Sequence, residues 1–239
     1  MQRYFAKEII DNNIILENTD IYHIKTVMRM KTNDKIEVIY DKKLYICAIE
    51  QIDNLKLKIE EIIEENNELS KEIIVAVGLV KEQKMDLILQ KLTELGVSKI
   101  VPVSMERSIV KLDDKKSEKK LLRWNMICKE ASEQSKRNNI PLVTEVINLK
   151  DLSKINADLK LVCSVSEKEN MIAKYIEQDS YNSVLVVIGP EGGISPKEED
   201  YLKNNNFNLV SFGNLVLRVE TAAIYIASII NYHITNKCK

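Results

Sequence analysis

A glycine-rich segment at residues 189–193, with the sequence GPEGG, is the part of the chain best suited to bind a ligand. It follows an apolar run, 184–188, that is typical of a strand buried on both faces. It precedes Ser195, which forms with Pro196 and Glu198 the pattern of a capped helix start. Because ligands bind beyond the carboxyl ends of strands in open α/β sheets, and glycines allow close backbone approach, the segment predicts a binding loop. A plain tight turn is the alternative.

The same segment does not match the common nucleotide-binding motifs. It has neither the GxGxxG pattern of dinucleotide-binding folds nor the Lys-Ser/Thr pair of a phosphate loop. Binding of a nucleotide phosphate is therefore disfavoured, and so is a dehydrogenase of the dinucleotide-binding class.

A second segment, 211–230, combines an aliphatic stretch with charged residues. After a Gly-Asn turn, the residues of 215–217 are suited to form the wall of an apolar pocket. Glu220 has a structural explanation, since an acidic residue stabilises the first turn of a helix. Arg218 is harder to explain in this way, because a cation within an apolar stretch requires a partner. Arg218 is therefore the candidate for direct participation in chemistry, with Glu220 as a second candidate.

The middle of the chain is basic although the whole chain carries a net charge of -1. Residues 71–150 contain 16 Lys and Arg against 11 Asp and Glu, whereas both flanking parts are acidic. Such a stretch is typical either of a phosphate-binding patch or of an ordinary solvated helix face. The candidates for phosphate contacts are Arg107, Arg123, Lys136 and Arg137.

Two patterns of hydrophobic residues predict two domains. Residues 1–68 read as short alternating strands, with a hairpin turn at Asn12-Asn13 and one helical turn from Asp20 to Met30 that Asp20 caps. This pattern indicates a small, mostly antiparallel β-barrel that ends in a polar linker. Residues 72–239 alternate continuous apolar runs with helical periodicity. This alternation is typical of an α/β domain with a parallel sheet covered on both faces. Asp113 and Asp114 are expected to open a long helix in this part.

Composition excludes several other classes of protein. The proportions of 45% hydrophobic and 30% charged residues are those of a soluble globular protein. No apolar run reaches the roughly 18 residues of a membrane span, and the first residues lack the apolar core of a signal peptide. The four cysteines, of which Cys238 is the last, form no CxxC pair, which disfavours a zinc site or a disulfide framework. We expect a cytoplasmic protein with no membrane or metal partner.

Taken together, the motifs resemble those of one bacterial family, the small-subunit (16S) ribosomal RNA uridine-N3 methyltransferases of the SPOUT superfamily. The similarity extends over essentially the whole chain, and it is carried by 84–111, 123–143, IGPEGGIS at 188–195 and FGNLVLRVETA at 212–222. The glycine segment and the LR-ETA segment are far more specific together than either is alone. The N-terminal part is similar to the PUA-like barrel of that family.

The resemblance implies a parallel-sheet domain with a C-terminal trefoil knot, whose loops bind S-adenosylmethionine. The implied cofactor-binding residues are Cys163, Ser164, Ile188, Gly189, Pro190, Glu191, Gly192, Gly193, Phe212, Gly213, Leu215, Val216 and Leu217. In this reaction Arg218 would stabilise negative charge on the uracil carbonyls, and Glu220 or solvent would accept the N3 proton.

The resemblance also implies partners. The expected substrate is a uridine in the decoding region of 16S ribosomal RNA in the small subunit, and the expected assembly is a homodimer. Arg3, His23 and Arg29 of the N-terminal barrel are expected to bind the RNA, together with the four basic residues of the middle stretch. One departure concerns Leu215, which stands where family members commonly have an arginine.

Two alternatives remain open. A methyltransferase of the same superfamily with another target, a tRNA or a ribose 2′-hydroxyl, would share most of the motifs. A ribosome-assembly or RNA-binding protein without catalytic activity would explain Leu215, but the complete GPEGG segment and Arg218 argue against it.

Overall fold

A computed structural model describes residues 1–112 and 114–237, and of Asp114 it describes the backbone alone. Asp113 and Cys238 lie outside the described residues. The chain forms two compact units. The first comprises Met1–Glu68 and Lys129–Asn139, and the second comprises Leu69–Cys128 and Ile140–Lys239. Within the described residues, none of the helices combines the length and the apolar character that membrane crossing requires.

The first unit is built mainly of antiparallel strands. One sheet has the order β1-β4-β5-β6, in which only the β1–β4 pair is parallel among the described residues. A separate hairpin joins β2 to β3. The strands are β1 (Arg3–Phe5), β2 (Glu8–Ile10), β3 (Asn13–Ile15), β4 (Lys35–Tyr40), β5 (Lys43–Gln51) and β6 (Lys56–Ile63). Alternate residues of these strands form a buried cluster with Ile24 from the helical segment.

Local sequence explains the tight turns of this unit. Asp11 and Asn12 have φ values of 47° and 66°, and Asp41 and Lys42 have values of 47° and 64°. Two successive left-handed residues form the turn type that matches the twist of a hairpin, and Asp and Asn tolerate it best. The first turn lies one residue earlier than the sequence predicts, because Asn13 is already paired with Ile10 in the hairpin.

The helical segment of the first unit differs from its prediction. Helix α1 (Asn18–Tyr22) begins before Asp20 and continues as a π-helical turn, His23–Val27. The prediction that Asp20 caps this helix is wrong, because Asp20 lies inside it and is buried. Its two carboxylate oxygens each accept a hydrogen bond of 2.7 Å from Lys129.

The second unit contains a parallel sheet with the strand order β10-β8-β7-β12-β11-β13, and β9 also pairs with β8. The strands are β7 (Glu72–Gly78), β8 (Lys99–Ser104), β9 (Leu142–Val143), β10 (Ile147–Asn148), β11 (Leu159–Cys163), β12 (Ser183–Ile188) and β13 (Asn208–Val210). The helices are α2 (Glu82–Glu94), α3 (Asp114–Gln134), α4 (Ala173–Ile176), α5 (Pro196–Asn204) and α6 (Val219–Lys237), with a 3-10 turn at Leu149–Lys154. Residues 129–134 of α3 belong to the first unit.

Helices cover both faces of this sheet, as the continuous apolar strands require. In β7, Ile73, Val75 and Val77 face a cluster that includes the buried residues of α2 and α6. The intervening Ile74 and Ala76 face the 3-10 turn and α5 on the other side. The predicted alternation of strands and helices in this unit is confirmed, except that the short β9 and β10 have no clear sequence signal.

The polar stretch at 64–68, which the sequence predicts as a linker, is anchored within the first unit. The Glu68 carboxylate accepts hydrogen bonds from the backbone N–H groups of Asn138 at 2.9 Å and Asn139 at 3.0 Å, and it forms an ion pair with Arg137. These bonds join two parts of the chain that are about seventy residues apart, which local periodicity does not predict.

A cluster of buried charged groups lies in the first unit around α1 and the end of α3. Glu133 lies near Asp20 and Lys129, and its Oε1 is buried and has no hydrogen bond to any of the described residues. Burial, together with the charge of Asp20, raises the pKa of Glu133 to about 8. The folded protein therefore favours the protonated form of the Glu133 carboxyl at pH values where the same carboxyl is ionised in the unfolded chain.

We expect Glu133→Gln to change the pH dependence of stability. A carboxyl with a raised pKa contributes to the free energy of unfolding when the pH is below its ordinary pKa of 4.5. That contribution is lost as the pH rises towards about 8. The neutral variant should therefore be more stable than the wild type at pH 8–9 and nearly equal at pH 4–5. Urea unfolding between pH 4 and pH 9 measures this difference. Glu118→Gln, an exposed change elsewhere on the same helix, is the control, and parallel profiles for wild type and Glu133→Gln would contradict the expectation.

Candidate functional site

A pocket of about 520 Å³ lies at the carboxyl edge of the parallel sheet in the second unit. Its walls come from the loops that follow β8, β11, β12 and β13 and from the start of α6. This is the edge at which α/β sheets bind ligands. The lining residues are Arg107, Cys163, Ser164, Val165, Ser166, Glu167, Lys168, Ile188, Gly189, Glu191, Gly192, Gly193, Ile194, Pro196, Glu199, Ser211, Phe212, Gly213, Leu215, Val216, Leu217, Val219 and Ala222.

The glycine segment forms the tight turn after β12. The N–H of Gly193 donates to the carbonyl of Pro190 at 2.8 Å, and Gly193 has a φ of 72°. A Cβ atom at Gly189 would lie 2.8 Å from Ile194 and 3.0 Å from backbone atoms. Glycine is thus needed for the close approach at 189 and for the left-handed conformation at 193. The predicted capping box of Ser195 and Glu198 is confirmed.

A second wall of the pocket is the loop after β11. Both oxygens of Glu199 accept hydrogen bonds from this loop, one from Ser164 Oγ at 2.6 Å and one from Ser166 Oγ at 2.9 Å. Within the loop, the Glu167 carboxylate accepts hydrogen bonds from the N–H groups of the next three residues. These hydrogen bonds lower the pKa of the Glu167 carboxyl to about 2, and the largest contributions come from the backbone and side chain of Asn170. Two carboxylates therefore fix the shape of this wall.

The third wall, 211–219, is largely aliphatic. The N–H of Ser211 donates to the carbonyl of Asn170 at 2.9 Å, which joins this segment to the loop after β11. Leu215 and Val216 line the pocket, yet their exposed fractions are 80% and 72%. Cys163 lies at the inner end, where burial raises the pKa of its thiol, so that it remains neutral. The pocket thus combines an apolar wall with polar backbone and carboxylate groups.

The structure brings all the implied cofactor-binding residues to this pocket except Pro190. Pro190 instead contacts the end of β7, where a Cβ atom at Gly78 would lie 2.6 Å from its ring. Their role as ligands of a cofactor stays a prediction. The sequence prediction omitted Ser166, Glu167, Lys168 and Glu199, whose only sequence signal is their position after a strand or in the first turn of a helix.

Arg218 and Glu220 lie on either side of Val219, a residue that lines the pocket. Arg218 is exposed, and among the described residues its guanidinium has no hydrogen bond or ion pair. Glu220 Oε2 is buried and accepts no hydrogen bond from the part of the chain that the structure describes, and Lys84 Nζ lies 3.6 Å from it. The same Lys84 nitrogen lies 3.3 Å from Glu191 of the glycine turn. Lys84 therefore links the two segments, although no sequence pattern distinguishes it from the other lysines.

The residues expected to bind RNA have different surroundings. Arg3, in the first unit, is 3% exposed; its Nε donates to Glu37 at 2.7 Å and its Nη1 to the carbonyl of Lys136 at 2.6 Å. Lys136 also pairs with Glu37, at 2.9 Å. Burial raises the pKa of Glu37, but the hydrogen bonds from Lys136 and Arg3 outweigh it and leave the value lowered. These cations neutralise carboxylates within the unit, which argues against a direct RNA contact for Arg3.

Three other predicted residues are more accessible. His23 is half-buried and its Nδ1 lies 2.9 Å from the Tyr4 hydroxyl, while Arg29 is exposed with a φ of 51°. Arg123, in the second unit, is exposed and pairs with Asp86 at 2.6 Å. The remaining two differ from expectation, since Arg137 is buried and paired with Glu68, and Arg107 lines the pocket.

Family comparisons agree with this architecture. Residues 67–231 match the RNA methyltransferase domain, and residues 16–62 match the RNA methyltransferase PUA domain. Ribosomal RNA small subunit methyltransferase E of Bacillus subtilis is 36% identical over 248 residues, covering 97% of this chain and 96% of the relative. The protein of the same name from Mesomycoplasma hyopneumoniae is 34% identical and covers 95% and 97%. The chain belongs to the ribosomal RNA small subunit methyltransferase E family.

Solved structures of relatives have the same fold. A methyltransferase from Legionella pneumophila with bound S-adenosylmethionine has a TM-score of 0.90 and 29% identity, covering 97% of each chain. Ribosomal RNA small subunit methyltransferase E from Neisseria gonorrhoeae bound to S-adenosylmethionine has a TM-score of 0.87 and 27% identity, again with 97% of each chain covered. The family resemblance and the predicted fold class are confirmed. The threading of the chain end through a loop stays a prediction.

We expect Gly189→Ala to weaken binding of S-adenosylmethionine, the ligand of those two relatives. The added methyl group meets Ile194 and backbone atoms, so the glycine turn must shift. Overpacking of this kind costs about 1–3 kcal/mol, or roughly tenfold or more in Kd. Calorimetric titration measures the affinity, with Lys197→Ala, an exposed change on α5, as the control. Equal affinities in all three proteins would contradict a ligand seated against this turn.

Proposed function

We propose that the chain transfers the methyl group of S-adenosylmethionine to N3 of a uridine in the decoding region of 16S ribosomal RNA. The observation that carries the proposal is the pocket at the carboxyl edge of the sheet, whose walls include nearly all the implied cofactor-binding residues. The family membership and the cofactor found in relatives support the same activity.

The lining residues fit the cofactor. A volume of about 520 Å³ is within the range of small-molecule sites, roughly 300–1,000 Å³. The aliphatic wall of 215–217 suits an adenosine ring, and the bare backbone of the glycine turn supplies N–H and C=O groups. Glu191 and Glu199 line the same space, and carboxylates favour a ligand that contains a sulfonium and an ammonium group. When bound, the cofactor supplies an electrophilic methyl group.

In this proposal the protein makes uracil N3 reactive. N3 carries a proton in the neutral base, so methylation requires loss of that proton and stabilisation of the charge left on the carbonyl oxygens. Arg218 provides this stabilisation, because its guanidinium has no partner among the described residues and lies beside the pocket. Glu220 accepts the proton, and Lys84, whose Nζ lies 3.6 Å from Glu220 Oε2, keeps that carboxylate oriented.

The RNA-binding part of the proposal is narrower than the sequence prediction. Arg29 and His23 of the first unit remain suited to contact RNA, together with Arg123 of the second unit, because the two arginines are exposed and the histidine is partly exposed. Arg3, Lys136 and Arg137 act by fixing 129–139 within the first unit. We further propose a homodimer that acts in the cytoplasm on the small ribosomal subunit, with its two domains as 1–68 and 72–239.

We expect the purified protein to methylate small subunits that lack the modification. Incubation with labelled cofactor and subunits from a strain without the enzyme should yield labelled 3-methyluridine, identified by nucleoside analysis. Wild-type subunits, already modified, are the control and should accept almost no label. Label in a ribose 2′-O-methyl nucleoside, or in tRNA alone, would assign another target.

We expect Arg218→Ala to lose methylation by 10² or more, an order of magnitude based on the roughly 2.7–4 kcal/mol that one preorganised donor contributes. Cofactor affinity should stay within a few-fold, because Arg218 does not line the pocket. Single-turnover methylation and calorimetric titration measure the two quantities. Lys119→Ala, an exposed lysine on α3, is the matched control for loss of a positive charge. Turnover that is unchanged in Arg218→Ala would reject the role.

A further inference from the structure

Arg107 occupies an unusual position for a residue predicted to contact RNA phosphates. It comes from the loop after β8 and lies across the glycine turn that follows β12. Its Nη1 donates to the carbonyl of Gly192 at 3.2 Å and to that of Ile194 at 3.4 Å. A Cβ atom at Gly192 would lie 2.9 Å from the Cβ of Arg107, so the contact depends on a glycine there. Arg107 is thus part of the pocket wall.

The loop that carries Arg107 is fixed on both sides. Ser108 is buried, and its Oγ accepts a hydrogen bond from the N–H of Met105 at 3.2 Å, which closes the turn around Arg107. Glu106 then joins this turn to the start of α5, because its carboxylate accepts from Ser195 Oγ at 2.8 Å. Its N–H donates to Glu198 Oε1 at 2.8 Å. The guanidinium is therefore presented by a preorganised backbone.

Most of the donors of this guanidinium are unused. Arginine has five N–H groups, and Nη1 supplies two of them to the two carbonyl groups. The three N–H groups on Nε and Nη2 have no acceptor among the described residues. Glu191 and Glu199 line the same pocket but form no ion pair with Arg107. A fixed guanidinium with an open edge is a typical binding group for an anionic oxygen.

We infer that Arg107 is an anion-binding residue of the pocket itself, which takes a negatively charged oxygen of a molecule bound beside the glycine turn. The inference rests on the proposed function, and that function supplies two such oxygens, the carboxylate of the cofactor and the oxyanion of the ionised target base. Both present the same chemistry to the open edge of the guanidinium. Arg107 is then a ligand-binding residue and not a contact to the RNA backbone.

The test compares wild type with Arg107→Ala and Arg107→Lys, and uses Lys111→Ala as the control for loss of a nearby exposed charge. Calorimetric titration gives Kd for S-adenosylmethionine and for 5′-methylthioadenosine, which lacks the amino-acid carboxylate. Single-turnover methylation of unmodified small subunits gives the rate from pH 6.5 to pH 9, and the salt dependence of subunit binding reports lost phosphate contacts.

Two results support the inference and assign the oxygen. If Arg107 binds the cofactor carboxylate, Arg107→Ala raises Kd for S-adenosylmethionine by about 10- to 100-fold, as for loss of a hydrogen bond to a charged group. Kd for 5′-methylthioadenosine then stays unchanged. If Arg107 binds the base oxyanion, both Kd values stay unchanged and the rate falls by a similar factor. That deficit shrinks as the pH rises, because the base then ionises without the guanidinium. Arg107→Lys recovers part of either loss.

Three results overturn it. An equal rise in both Kd values would mean that Arg107 only shapes the glycine turn. If Arg107→Ala reduces the salt dependence of subunit binding but leaves the cofactor Kd and the rate at saturating RNA unchanged, Arg107 contacts the RNA phosphates instead. If Kd, rate and salt dependence in Arg107→Ala all equal those of an active wild-type enzyme, Arg107 has no role in binding or catalysis. If the wild type itself neither bound cofactor nor methylated RNA, the proposed function would fail first and the inference would fail with it.

Discussion

The position of strand β12 is the constraint on which the second unit depends. β12 lies between β7 and β11 in the sheet, and its residues from Val184 to Ile188 are buried. Because helices cover both faces, a shift of register by one residue would place every side chain against the wrong layer. Ile188 is therefore fixed opposite Val77 and Cys163. The chain must turn immediately after it, where Gly78 of β7 gives Pro190 the space that a side chain would fill.

Charge, more than regular structure, determines the shape of the loops beyond that edge. Glu199 joins α5 to the loop after β11, Glu106 joins the loop after β8 to α5, and Lys84 lies between Glu191 and Glu220. Each of these groups comes from a different part of the chain. Loops fixed in this way are ordered before a ligand arrives, so binding loses less free energy to ordering them. These loops also bring polar groups close to an apolar wall, an arrangement that suits a ligand with both polar and apolar parts.

The sequence predicts the parts of this arrangement that depend on local pattern. The buried strand before GPEGG, the capping box of Ser195 and the aliphatic wall of 215–217 each have a signal within a dozen residues, and each lies where expected. Arg3 has no such signal, because its partners Glu37 and Lys136 are distant in sequence. A buried, paired arginine and an RNA-binding arginine look alike in a sequence. For the same reason, the inclusion of 129–139 in the first unit could not be read from periodicity.

Leu215 stands where the family resemblance predicts an arginine, and its surroundings are open enough for either side chain. Leu215 lines the pocket and is 80% exposed, so neither an arginine nor a leucine there contributes to the buried core. A leucine contributes when a ligand covers it, by about 25 cal/mol for each Å² of apolar surface removed from water. An arginine at 215 would add a charge there, but Arg107 already lines the pocket, and Arg218 lies beside it, next to Leu217. A guanidinium therefore stays at the pocket whether residue 215 is charged or apolar, and an apolar residue adds contact area for a ligand.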